Sequence, residues 1–177
     1  DAISHALESY VSTKRNAVSC LFALEAWRLL SLSFERVLKD PSDTQARGQM
    51  LVGANFAGSA IENAMLGAAH ACANPLTANY GMAHGEAVGL MLPEVIRFNG
   101  ETEGELYEGL GVDALTLAGR VVALKDVASL PTRLRDLGVN EEKLPQLAKE
   151  AATQWTGTFN PRTVREEDFL VLYKAAF

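Results

Sequence analysis

His70-Ala-Cys-Ala-Asn-Pro-Leu-Thr-Ala-Asn-Tyr-Gly-Met-Ala-His84, followed at once by Gly85, is the stretch on which the reading of this chain turns. The 177 residues hold only three histidines, and two of them bracket this segment. The third, His5, stands four residues after Asp1. Neutral imidazole and carboxylate are donors that zinc and ferrous iron accept. Positions i and i+4 share a helix face, so Asp1 and His5 can address one ion. Pro75 is expected to end the helix that carries His70, and residues 75–83 then turn back to bring His84 close. One carboxylate and three imidazoles from three places in the chain point to a single-metal site.

The same residues have plainer roles beside that one. A histidine in an apolar helix is commonly a hydrogen-bonded core residue, and D-x-x-x-H alone is a weak pattern. Asp1 at a helix start can accept backbone N–H groups as a cap. Asn74, just before Pro75, suits a C-terminal cap. Spacing alone leaves metal binding and these structural roles open.

Working outward, 48% hydrophobic and 21% charged content is that of a soluble globular protein. The length is that of one domain with a real core, at roughly 100–200 residues per domain. A net charge of −6 argues against a nucleic-acid footprint, which needs a basic patch. Cys20 and Cys72 have no C-x-x-C spacing and read as buried thiols of a reducing cytoplasm. Asp1 to His5 form neither a basic n-region nor an apolar run, so no signal peptide is expected. The chain opens without methionine, on a candidate ligand, and reads as a piece of a longer protein cut at a domain boundary.

Apolar residues recur at three and four along the chain, and no β alternation appears, so the fold class is all-α. Helices are expected over residues 2–12 and 16–39, where Val18, Leu21, Phe22, Ala26, Leu29, Leu30 and Phe34 form the stripe. Asp40-Pro41-Ser42-Asp43 stops the second helix and caps the next. That third helix is expected to run unbroken from about 43 to 73. Its apolar length raises a transmembrane reading, which Asn55, Glu62, Asn63 and His70 argue against. His84 should open a helix to about Phe98, kinked at Pro93, with Gly85 leaving room beside the metal. Residues 100–113 read as a polar, glycine-rich excursion or mobile segment with a short helical turn at Glu105 to Leu110. Shorter helices are expected at about 115–123, 132–137, 141–153 and 166–176.

Asp1 to Ser12 and Ala69 to Gly85 resemble the iron-containing (group III) alcohol dehydrogenases. Gly58 to Gly67 with Asn63, Leu92-Pro93, Phe98-Asn99, Leu130-Pro131-Thr132, Leu137-Gly138-Val139 and Asn160-Pro161-Arg162 carry the likeness over nearly the whole chain. The resemblance implies that residues 1–177 are one helical metal-binding domain, a bundle like the C-terminal domain of the dehydroquinate synthase-like and iron-containing alcohol dehydrogenase fold. It implies a preceding nucleotide-binding α/β domain that lies outside this chain. Asp1, His5, His70 and His84 take the positions of the metal ligands, with Fe2+ as the ion and Zn2+ acceptable to the same donors. The implied activity interconverts an alcohol and an aldehyde or ketone. The metal serves as Lewis acid on the substrate oxygen, and NAD(P), bound mainly by the other domain, moves the hydride. The fragment alone is expected to be inactive.

One position departs from the family pattern. Asn74 stands where the family usually carries a second histidine facing substrate and nicotinamide, often assigned to proton transfer. An amide has no usable pKa for that work. Asn74 is therefore the expected cofactor-side residue, without the relay. Two other functions compete: a dehydroquinate synthase-like or glycerol dehydrogenase-like relative, whose metal sets match this pattern less well, and a non-catalytic helical module with a structural metal. A di-iron bundle wants paired Glu-x-x-His motifs, which the chain lacks.

Overall fold

The three-and-four spacing is realised as helix throughout: the computed structural model describes all of residues 1–177 as nine α-helices and three short 3-10 turns, with no strand. The helices are α1 (Ala2–Val11), α2 (Ala17–Lys39), α3 (Thr44–Ala64), α4 (Ala68–Tyr80), α5 (His84–Glu103), α6 (Glu105–Glu108), α7 (Ala114–Val127), α8 (Leu144–Ala152) and α9 (Glu166–Ala175). The 3-10 turns are Leu134–Leu137, Glu141–Lys143 and Trp155–Phe159.

Local chemistry sets the ends of α2 and α3. The Asn16 side chain accepts the N–H groups of Val18 and Ser19 at 3.0 and 3.1 Å, and Ser19 answers by accepting the Asn16 N–H, closing a capping box. Asp43 accepts the Ala46 N–H at 2.9 Å to start α3 and pairs with Arg36 at 2.8 Å across the turn. The two helices then pack closely, because Gly53 of α3 lies against Leu30 of α2 with no room for a Cβ. By length and composition α2 is apolar enough to cross a membrane. One face of it, Ala23, Ala26, Trp27 and Leu30, is buried in the domain, and α1 and α3 pack against the helix.

Four local expectations need correction, each for a tertiary reason. The helix expected over 43–73 is two helices, broken at Met65–Gly67. Side chains from distant elements take the first N–H groups of α4: Asn160 accepts that of Ala68 at 3.3 Å and Glu8 that of Ala69 at 2.8 Å. Pro75 does not end the helix. It sits buried inside α4, which is enclosed by α5, α8 and the turn at Trp155–Phe159, so packing outweighs the lost N–H. The chain reverses instead at Gly81, whose φ of +64° caps α4 in the left-handed region. The helix opened by His84 runs beyond the expected end at Phe98: α5 carries Pro93 inside it and continues to Glu103, with Val95, Ile96, Phe98 and Asn99 buried in the core. Residues 100–113 are not an unanchored excursion, because Tyr107 and Leu110 plug into the core and Asn99 donates to the Tyr107 hydroxyl at 3.0 Å.

Candidate metal centre

Three structural devices bring the candidate ligands to one point. Asp1 and His5 share a face of α1, His70 stands in the first turn of α4, and His84 opens α5 after the Gly81 reversal. Asp1 Oδ1 lies 3.3 Å from His5 Nε2, 3.5 Å from His70 Nε2 and 3.9 Å from His84 Nε2. Bonds of 2.0–2.2 Å in a tetrahedral shell hold neighbouring donor atoms roughly 3.3–3.6 Å apart. Asp1, His5 and His70 form the tight group, with donor atoms all within 4.8 Å of one another, and His84 stands slightly outside it. The His70 ring centroid is 5.1 Å from that of His5 and 5.2 Å from that of His84. His70 is 3% exposed and forms the floor, whereas the side chains of His84 and Asp1 are 40% and 43% exposed and form the mouth.

Asp1 precedes α1, but its carboxylate caps nothing. It is left free for the imidazoles. Gly85 lets it approach: a Cβ at that position would sit 3.3 Å from Asp1 Cβ. Burial holds His5 neutral, pushing its pKa down to about 4, with the neighbouring His70 adding to the effect. Burial, then His70 and His5, lower that of His84 as well. Neutral imidazole is the form that ligates.

The residue missed in the sequence is Glu8. It is buried on the same face of α1, and its carboxylate accepts from His70 Nδ1 while also taking the Ala69 N–H. The spacing Asp1, His5, Glu8 runs four then three, so a D-x-x-x-H-x-x-E pattern on one face was there to be read. With Nδ1 engaged, His70 Nε2 is the atom turned toward Asp1, and it is buried with no hydrogen-bond partner in the protein. An unpaired buried acceptor beside a carboxylate is costly unless a cation satisfies both. The donor set therefore fits a single divalent ion.

Asn74 is not the C-terminal cap that its place before Pro75 suggested, since α4 continues to Tyr80. Its Nδ2 donates to Gln154 Oε1 at 2.9 Å, on the segment between α8 and the Trp155 turn.

Fold and cluster together define a helical domain whose carboxylate–imidazole centre, buried at His70 and open at Asp1 and His84, has the dimensions of a mononuclear metal site. The chain belongs to the Fe-containing alcohol dehydrogenase family, whose C-terminal family model matches residues 1–177. It is 35% identical over 190 residues to a 1,3-propanediol dehydrogenase of Citrobacter freundii, covering 100% of this chain and 49% of that protein. A lactaldehyde reductase of Escherichia coli is 31% identical, with the same 100% and 49% coverage. Among solved structures, a 1,3-propanediol oxidoreductase superimposes with a TM-score of 0.89 at 33% identity, covering 100% of this chain and 50% of that one. An alcohol dehydrogenase from Oenococcus oeni gives 0.95 at 26% identity, again with 100% and 50% coverage. The chain thus spans about half the length of the relatives it matches.

Proposed function

We propose that this chain is the metal-binding half of a longer, NAD(P)-dependent alcohol dehydrogenase that interconverts an alcohol and its aldehyde or ketone in the cytoplasm. The observation that carries it is His70 Nε2, buried and unpaired, facing an aspartate on which two further imidazoles converge. Asp1, His5, His70 and His84 would hold one divalent ion, Fe2+ by family and Zn2+ by donor chemistry. Bound there, the ion supplies Lewis-acid polarisation of the substrate oxygen.

The chain's own residues do the rest of the positioning. His70 anchors the centre from a rigid, buried helix start, and His84 and Asp1 leave the mouth open to substrate. Asn74, one helical turn beyond His70 and hydrogen-bonded to Gln154, would face the same cleft, where nicotinamide and substrate meet. It orients by hydrogen bonding and moves no proton. The partner is an N-terminal nucleotide-binding domain that fixes the cofactor against this mouth. Free Cys20 and Cys72, with no disulfide, fit a reducing compartment.

Elemental analysis of the intact protein tests this reading. One divalent ion per chain is expected in the wild type and a substoichiometric amount in His84→Ala. A full complement in that variant would show that the site is wrongly drawn. The 177 residues alone should turn over no alcohol with NAD(P), and turnover by the fragment would contradict the division of labour.

A further inference from the structure

A neutral histidine can ligate through Nε2 only while its proton sits on Nδ1. What surrounds Nδ1 therefore decides whether the floor of the centre is a donor or an acceptor. Around His70 that surrounding is an all-buried polar network drawn from three distant parts of the chain. Glu8, 4% exposed, accepts from Nδ1 with one carboxylate oxygen and from the Ala69 N–H with the other, at 2.8 Å. Asn160, also 4% exposed, accepts the neighbouring Ala68 N–H at 3.3 Å. Behind it, Asn160 and Asn99 exchange amide hydrogen bonds, Nδ2 of each donating to Oδ1 of the other at 2.7 and 3.2 Å. Gly67 makes the arrangement possible through space, not backbone angle. A Cβ there would stand 3.1 Å from both Glu8 Oε1 and Asn160 Oδ1.

We propose that Glu8 is the positioning residue of this centre: clamped by the first turn of α4 and backed by the Asn160–Asn99 pair, it fixes His70 as the Nδ1–H tautomer and keeps Nε2 aimed at the ion. The proposal rests on the metal reading above. Both carboxylate oxygens accept, so a glutamine can accept from the helix N–H or from Nδ1–H but not from both, and its amide N–H turned to Nδ1 selects the Nε2–H tautomer instead. Loss of such an outer partner typically lowers metal affinity about 10- to 100-fold.

The test uses the intact protein with zinc as the probe. Zinc affinity is measured by chelator competition in the wild type, Glu8→Gln and Gly67→Ala, with circular dichroism to confirm that each folds. Gly67→Ala leaves the Glu8 charge in place and only displaces it, so it reports on geometry. Both variants should bind zinc about 10- to 100-fold more weakly. In parallel, the ring nitrogen shifts of His70 in the metal-free wild type at pH 8 should show the Nδ1–H form, and those in Glu8→Gln should move toward Nε2–H. A purely structural role for Glu8 would not move that signature. Folded variants with wild-type affinity, in a protein that does bind zinc, overturn the proposal and leave the metal site standing. A wild type that binds no zinc overturns both. An Nε2–H His70 in the wild type overturns the proposal even if neither variant folds.

Discussion

Two glycines of α3 should respond differently to the same substitution. Gly48 faces open space, with nothing within 4 Å of an added Cβ. Gly53 faces α2, where a Cβ would fall 2.9 Å from Leu30 Cγ, 3.1 Å from its Cδ2 and 3.2 Å from Leu29 Cβ. Replacing glycine by alanine inside a helix stabilises by about 1 kcal/mol through backbone entropy alone. Gly48→Ala should show that gain. At Gly53 the same gain is opposed by overpacking of about 1–3 kcal/mol, because Leu30 is 1% exposed and has nowhere to swing. Gly53→Ala should therefore be neutral to about 2 kcal/mol destabilising, and the two variants should differ by about 1–3 kcal/mol. Urea unfolding of the metal-free intact protein, compared at constant m-value, reads the difference as a shift in midpoint. If Gly53→Ala stabilises as much as Gly48→Ala, the close seating of α3 on α2 is wrong.

Met65 adopts φ +74° and ψ 176°, a region that suits only glycine, so Met65→Gly should be more stable than Met65→Ala by about 1–2 kcal/mol, the reverse of the usual order; equal midpoints would refute the strain. His5 titrates near 4 when folded and 6.5 when unfolded, so its contribution is complete above pH 6.5 and is lost as the pH falls from there to about 4. The melting temperature of the metal-free protein should drop across that window, and His5→Gln should flatten the drop; an unchanged slope would remove His5 from the cause. In the intact protein Asn74→His should add an ionisation in the histidine range to the pH–rate profile and raise turnover, toward the ~10²–10⁴-fold that a placed acid–base group contributes. Metal content should stay as in the wild type, and an unchanged profile would assign Asn74 to holding Gln154 alone.

Much of the fold was legible because local signals and global packing agree. Asp43 reads as a cap and serves as one, and Ala26, Leu29 and Leu30 of the expected α2 stripe are buried, while Val18 and Leu21 of that stripe face outward. The histidine spacing was equally informative, since His5, His70 and His84 do converge on Asp1. What failed were places where a distant residue decides a local event. Nothing near Met65 announces a break in an apolar run, because the groups that take over the N–H donors of α4 are Glu8 and Asn160, 61 and 92 residues away. Pro75 looked like a terminator because its cost is local, while the packing that overrides it comes from α5, α8 and the Trp155 turn. Tyr107, in a stretch whose composition is that of a loop, is held by core contacts no local pattern contains. Glu8 was visible by spacing, yet a glutamate on a helix face is usually solvated, and only the position of His70 shows otherwise.

One divalent ion held by Asp1, His5, His70 and His84 is the arrangement on which the proposed chemistry depends. Anomalous scattering from crystals of the zinc-loaded intact protein, recorded on either side of the zinc edge, tests it most directly. A single peak is predicted at about 2.0–2.2 Å from Asp1 Oδ1 and from Nε2 of all three histidines. A loaded protein whose zinc peak lies elsewhere, or that leaves His70 Nε2 uncoordinated, would contradict it.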